Sequence, residues 1–136
     1  MFKEQFGVDV SKVPGAGAAG GLAGALHALG GQLVSGFELV CEELGVQELV
    51  GDADLLVTGE GFVDENSFDG KVVGGVCELA QESAKPVLIV CGDYDDAAQI
   101  PKHAKIVSLK RMFGETEAMN QTLTCVERAV ANALKN

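Results

Sequence analysis

The sequence predicts an α/β protein: a parallel-type sheet of about three strands with flanking helices, preceded by an N-terminal helical segment of small residues. Three observations carry that prediction. Short apolar runs at Asp54 to Thr58, Val87 to Cys91 and Lys105 to Leu109 have the length of buried strands rather than of helices. A helix-period stretch separates the first two and another follows the third, the order of parallel strands joined by crossovers. Hydrophobic residues make up 47% of the chain but aromatic ones only 5%, so the interior must be built from Ala, Val and Leu, which suits helices packed closely on a sheet.

At the start of the chain, Phe2, Phe6 and Val8 have no turn or strand partner nearby, and Pro14 ends this opening segment. Ala16 to Leu33 is almost entirely Gly, Ala and Leu and predicts a helix, in which each glycine costs about 1 kcal/mol relative to alanine unless close packing offsets it. Ser35 and Glu38 have capping-box spacing. They predict a helix from Gly36 to Leu44 that stops at Gly45, with Phe37, Val40, Cys41 and Leu44 as its apolar face. After the first strand, Gly59 to Gly70 is polar and acidic and predicts a loop. Asp69 is the candidate N-cap of the next helix, whose inner stripe is Val72, Val76, Leu79 and Ala80 and which Pro86 forbids beyond Lys85. Gly92 to Ala104 connects the second and third strands. Met119, Leu123, Val126, Val130 and Leu134 recur at helical spacing and predict a final amphipathic helix. Three strands are few for a parallel sheet, so one or both edges are expected to be completed by further chain or by a second copy.

Twenty acidic side chains against ten basic ones give a net charge of −10, which repels phosphate backbones and anionic lipid alike and argues against nucleic acid or a membrane as partner. Cys41, Cys77, Cys91 and Cys125 stand far apart with no C-x-x-C pair, and three lie in apolar runs, so reduced thiols and a cytoplasmic setting are expected. Met1 to Val10 is mixed polar rather than a leader, and no apolar run approaches the roughly 18 residues that cross a bilayer.

Ligands of open parallel sheets bind beyond the carboxyl ends of the strands. The segment leaving the first strand there is Thr58-Gly59-Glu60-Gly61-Phe62-Val63-Asp64-Glu65-Asn66-Ser67-Phe68-Asp69-Gly70-Lys71. It offers glycines that let backbone approach a ligand, carboxylates, an amide, a hydroxyl, and a lysine opening a helix whose N-terminus suits an anion. Between Lys12 and Lys71 there is no Lys or Arg, while ten acidic residues fall in that interval. Lys71 therefore stands alone beside a negative stretch, and in a helix's first turn it opposes the dipole; it is either functional or a solvated partner of Asp69. Glu60 and Asp64, four residues apart, suit one carboxylate on Mg²⁺ and one accepting a hydroxyl proton, or two solvated charges. Three look-alike motifs fail. Gly15 to Gly20 spells G-x-G-x-x-G but follows Lys12 and Pro14 rather than a strand; Gly70-Lys71 has Val72 where a P-loop needs Ser or Thr; and Asp93, Asp95 and Asp96 lack the glycine and glutamate of a calcium loop. His27 reads as a core or interface histidine and His103 as a plain loop residue.

Pro14-Gly15-Ala16-Gly17-Ala18-Ala19-Gly20-Gly21, followed some forty residues on by Ala53-Asp54-Leu55-Leu56-Val57-Thr58-Gly59-Glu60-Gly61 and then by Asp64, Ser67, Gly70 and Lys71, resembles the C-terminal part of the bacterial-type glycerate kinases. The resemblance spans nearly the whole chain. It implies ATP-dependent, Mg²⁺-assisted phosphorylation of D-glycerate to phosphoglycerate. It also implies a fragment of a two-domain α/β enzyme, with residues 1–50 ending the family's middle domain and 51–136 returning into its first. The family usually carries Gln where this chain has Asn66 and often Pro where it has Val73; its members are nearly three times longer. The residues expected to act are Asp64 as proton acceptor, Lys71 on phosphate or the substrate carboxylate, and Glu60 on Mg²⁺ or a substrate hydroxyl. Thr58, Gly59, Gly61, Asn66, Ser67 and Gly70 are expected to line the substrate and nucleotide site. The expected partner is the family's N-terminal region or a second copy. The alternative is a non-catalytic α/β module that oligomerises or packs with a partner chain.

Overall fold

Val87 to Cys91 is apolar at every position because this run is the middle of a sheet covered on both faces. The computed structural model describes residues 2–135. Helices α1 (Phe2–Phe6), α2 (Ala18–Ala28), α3 (Gly36–Glu43) and α4 (Val46–Asp52) precede strand β1 (Leu56–Val63), a 3₁₀ turn (Glu65–Phe68) and α5 (Val72–Glu82). Strands β2 (Val87–Tyr94) and β3 (Ala104–Ser108) follow, then α6 (Leu109–Phe113), α7 (Glu115–Asn120) and α8 (Thr122–Ala133). The strands lie in the order β1-β2-β3 and all run parallel, with Leu56 opposite Val87 and Ile89 opposite Ile106. The chain thus forms the expected α/β sheet of three parallel strands flanked by helices.

Alternation along β2 divides the core. Val87, Ile89 and Cys91 pack with Val63 and with Val73, Cys77 and Ala80 of α5, while Leu88 and Val90 pack with Leu109, Ala118, Cys125 and Ala129. The 95–103 link carries no helix, and it is tied down instead. Ile100 packs against the α5-side cluster, and His103 Nε2 donates to the Cys77 carbonyl at 2.9 Å. His103 is therefore a strap between this link and α5 rather than a plain loop residue. All four cysteines are free and buried. Among the described residues no helix is long and apolar enough to cross a membrane.

Several expected boundaries move. Strand β1 does not stop at Thr58 but runs through both glycines to Val63, because Gly59 lies so close to the Val90 carbonyl that no Cβ would fit between the strands. The inner stripe of α5 is Val73, Cys77 and Ala80; of the expected Val72, Val76, Leu79 and Ala80, Ala80 is fully buried and Val76 packs beside it, while Val72 is exposed. Gly74 sets this rotation, since a Cβ there would come within 2.8 Å of the Phe68 backbone. Leu109 opens α6 instead of ending β3. The C-terminal stripe breaks at Gln121, where α7 gives way to α8, so Met119, Leu123 and Leu134 stay exposed while Cys125 and Ala129 point inward, with Val126 and Val130 partly buried beside them. The segment Val46–Asp52 is a helix that the sequence reading passed over; α4 packs on α5.

The chain divides between Val40 and Cys41 into two compact units. In the first, the predicted helix over 16–33 is broken: Ala19, Gly20 and Gly21 have φ of 51°, 66° and 94°, and regular helix holds only up to Ala28. This turn brings Gly24 N to 3.0 Å from the Ala16 carbonyl, a contact that glycine permits. The helix ends in a Schellman motif, Gly30 N bonding His27 O and Gly31 N bonding Leu26 O. Ser35 caps as expected, accepting from Glu38 N at 3.3 Å. Of the apolar face foreseen for α3, Cys41 is buried, whereas Val40 and Leu44 are more than half exposed.

The same C-terminal motif recurs on α5, but with Ala84 at φ 53° where glycine belongs. Ala84→Gly is expected to stabilise the fold by about 0.5–1 kcal/mol, the left-handed strain relieved less the added chain entropy of glycine. A higher urea midpoint with unchanged slope reads this out.

Candidate functional site

Strand β1 carries Glu60 to the carboxyl end of the sheet, opposite Cys91. Its side chain is 28% exposed; Oε1 lies 3.4 Å from Lys71 Nζ, and Oε2 is buried with no hydrogen-bond partner in the protein. Such a half-exposed pair adds at most about 1 kcal/mol to stability, so stability does not explain a carboxylate oxygen left bare.

The residues after β1 fold back on themselves. Asp64 caps the 3₁₀ turn in a reciprocal capping box: Ser67 N donates to Asp64 Oδ1 and Asp64 N donates to Ser67 Oγ, each at 3.1 Å. Ser67 is fully buried, and the Asn66 amide donates to Asp64 Oδ2 at 3.3 Å. The Asn66 hydrogen bond, the field of Lys71 and the Ser67 donors hold the Asp64 carboxyl below its ordinary value, against some desolvation. Gly70, at φ 69°, then turns the chain into α5. The N-cap of α5 is Lys71 rather than the expected Asp69, and no side chain caps it; Asp69 instead closes the 3₁₀ turn, its N–H bonding Asn66 O. A cation at this end of a helix costs about 0.3–1 kcal/mol.

The structure therefore places Glu60, Asp64 and Lys71 in one electrostatic cluster, held by Asn66, Ser67 and Gly70. Thr58 lies two residues before Glu60 on β1, opposite Ile89. A cavity of about 580 Å³ opens on the other flank of Glu60, between the carboxyl halves of β1 and β2 and the segment from Leu109 to Val126. Gly59, Glu60 and Gly61 line it. Asp64, Lys71, Thr58, Asn66, Ser67 and Gly70 are not among its lining residues, so Glu60 alone belongs to both the cavity and the cluster.

Sequence reasoning missed a second charged group at the same end of the sheet. Asp93, at the end of β2, accepts from Arg111 Nε at 2.9 Å, from Tyr94 N at 3.0 Å and from Ser108 Oγ at 3.1 Å. Arg111, foremost, with Tyr94 N–H and Ser108, holds the Asp93 carboxyl below its ordinary value. The guanidinium also reaches Asp96 and the Tyr94 carbonyl and stacks 3.7 Å from the Tyr94 ring centroid. Lys110 Nζ sits 3.8 Å from Asp93 and 3.6 Å from Glu115, and all three of these side chains line the cavity. The one available signal was Lys110-Arg111, the chain's only adjacent basic pair, placed just past the third strand.

The pH dependence follows from these shifts. Asp64 and Asp93 are depressed in the fold, so on acidification the unfolded chain takes up protons first. Stability is present above the ordinary carboxyl value and is lost as pH falls through the lower folded values. Burial pushes the Cys91 thiol up to about 11, so stability also falls as pH rises from the ordinary thiol value toward 11. Thermal melting against pH is expected to show a plateau between these limbs, with Asp93→Asn flattening the acid limb.

Among the described residues no three His, Cys, Asp or Glu side chains converge on a metal. A Mg²⁺ ion that keeps waters and substrate phosphates needs one or two carboxylates, and the bare oxygen of Glu60 fits that need.

A model of the glycerate kinase family matches residues 1–136. A glycerate kinase of Halalkalibacterium halodurans is 36% identical over 97% of this chain and 36% of its own length. The glycerate 2-kinase of Escherichia coli is 44% identical over 76% of this chain and 28% of its own. A solved structure of a protein provisionally named glycerate kinase 2 in Salmonella typhimurium LT2 aligns over 97% of this chain and 37% of that one, at 28% identity and a TM-score of 0.48. The chain thus spans about a third of the length of the curated relatives it matches. With a family match over its full length, the chain belongs to the glycerate kinase family.

Proposed function

We propose that this chain supplies one wall of an active site in which D-glycerate takes the γ-phosphoryl group of ATP, giving phosphoglycerate and ADP. The observation that carries the reading is Glu60: a carboxylate at the carboxyl end of a parallel strand, one oxygen facing Lys71 and the other buried without a partner. Phosphoryl transfer asks a protein mainly for positioning and charge neutralisation. In the step, a glycerate hydroxyl oxygen bonds to the γ-phosphorus, the bond to the β–γ bridging oxygen breaks, and the hydroxyl proton passes to Asp64. A weakly basic Asp64 suffices, because in a loose transition state that proton leaves late. Lys71 and the free N–H groups opening α5 steady the transferring phosphate or the substrate carboxylate. Glu60 would hold Mg²⁺ or orient a substrate hydroxyl; bound Mg²⁺ neutralises charge on the phosphates.

On the same reading, residues 1–50 close one domain of the longer relatives and 51–136 belong to another. The chain works in the cytoplasm beside the remaining two thirds of such an enzyme or beside a second copy. A non-catalytic module is the second reading, favoured by the half-exposed Val57 and Phe62 on edge strand β1. A coupled ADP-release assay with Mg·ATP and D-glycerate, run on the chain alone and mixed with the rest of a relative, decides between them. Glycerate-dependent turnover in either arm supports the kinase. No turnover in both arms, with folded protein, leaves the module.

A further inference from the structure

We infer that the cavity on the far flank of Glu60 is the nucleotide subsite of this reaction, with Lys110 as its phosphate contact; the inference rests on the kinase reading and divides its site in two. The cavity has two ends of different chemistry. Along one wall, Gly59, Gly61 and Gly92 present bare backbone, which lets a ligand approach closely. Leu109, Met119 and Val126 face them with apolar side chains. A slot of about 580 Å³ with such walls lies within the usual size of ligand sites and suits a flat aromatic base, against which a methionine sulfur packs well.

The charged end selects the rest of the ligand. Among the described residues Lys110 is the only basic side chain lining the cavity; its ammonium lies 3.6 to 3.8 Å from Glu115 and Asp93, beyond ordinary hydrogen-bond distance, and is half exposed. Its two ion pairs are long and partly exposed, so the ammonium can turn to a phosphate at small cost. Glu60, Asp93 and Glu115 would repel bare phosphates, so the ligand must arrive with a divalent cation that offsets their charge. Glycerate then has the opposite flank of Glu60, where Lys71 and Asp64 lie. The phosphoryl group crosses at the one residue that belongs to both sides.

The test is titration of the chain with Mg·ADP by calorimetry, with circular dichroism to verify the fold of each variant. Lys110→Ala is expected to weaken binding about tenfold. Gly61→Val is expected to abolish it, since a side chain there meets no protein atom within 4 Å and projects into open space without disturbing β1. Binding is expected to need Mg²⁺, and Lys102→Ala, remote from the cavity lining, is expected to bind as wild type. Wild-type affinity in folded Gly61→Val and Lys110→Ala would overturn the inference, as would no Mg·ADP binding by the chain at millimolar concentration. Glycerate phosphorylation that still depends on Asp64 and Lys71 would leave the kinase reading standing in either case.

Discussion

Asp64→Asn is expected to lower kcat for glycerate phosphorylation by about 10²–10⁴-fold while the chain stays folded with a modestly lower melting temperature. The two halves of that result come from different parts of the side chain. Asp64 is an N-cap, receiving Ser67 N on Oδ1 and the Asn66 amide on Oδ2; asparagine keeps the capping oxygen for Ser67 N and loses only the acceptor for Asn66. Its amide cannot take a proton from an attacking hydroxyl. A fold kept and a rate lost identify a chemical role. A variant that melts like wild type and turns over normally would remove Asp64 from the mechanism, and the depressed carboxyl would then report only on the turn it caps.

The largest structural effect is expected at Gly74. Helix α5 lies against the backbone of the 3₁₀ turn so closely that a Cβ at Gly74 would meet Phe68 Cα, C and O at 2.8 to 2.9 Å. These are backbone atoms and cannot swing aside. Gly74→Ala should therefore cost about 1–3 kcal/mol despite alanine's better helix propensity. The turn it displaces is the one that presents Asp64, so activity should fall with stability. Chemical denaturation measures the first effect and turnover the second; an unchanged midpoint would mean that α5 can slide away from the turn at no cost.

Much of this architecture was legible in the residues because its signals are local. Val87 to Cys91 reads as a buried strand from five positions alone, and the Ser35–Glu38 cap from two. The site region was legible as a location for the same reason, a glycine-flanked acidic stretch leaving a strand. What local pattern could not give is whatever depends on a neighbour distant in sequence. Gly59 and Gly61 look like a strand's end, yet the strand continues, since one of those glycines is there for the approach of Val90 across the sheet. Hydrophobic periodicity finds Val76 and Ala80 on the inner face of α5 but not Val73 and Cys77, which lie inward where Gly74 packs against the Phe68 backbone. Asp93 reads locally only as a member of a failed calcium loop; its partners Ser108 and Arg111 lie 15 and 18 residues on and meet it through the parallel pairing of β2 with β3. His103 escaped for the same reason, its partner being the Cys77 carbonyl 26 residues back.

The account stands on Glu60, Asp64 and Lys71 acting together on one substrate. Amide spectra of the ¹⁵N-labelled chain, recorded as D-glycerate is added in the presence of Mg·ADP, test this most directly. The expected result is a saturable shift of the Gly59, Glu60, Gly61, Asp64, Gly70 and Lys71 signals at a common midpoint. Saturable shifts confined to other residues, or none at these positions at millimolar glycerate, would contradict it.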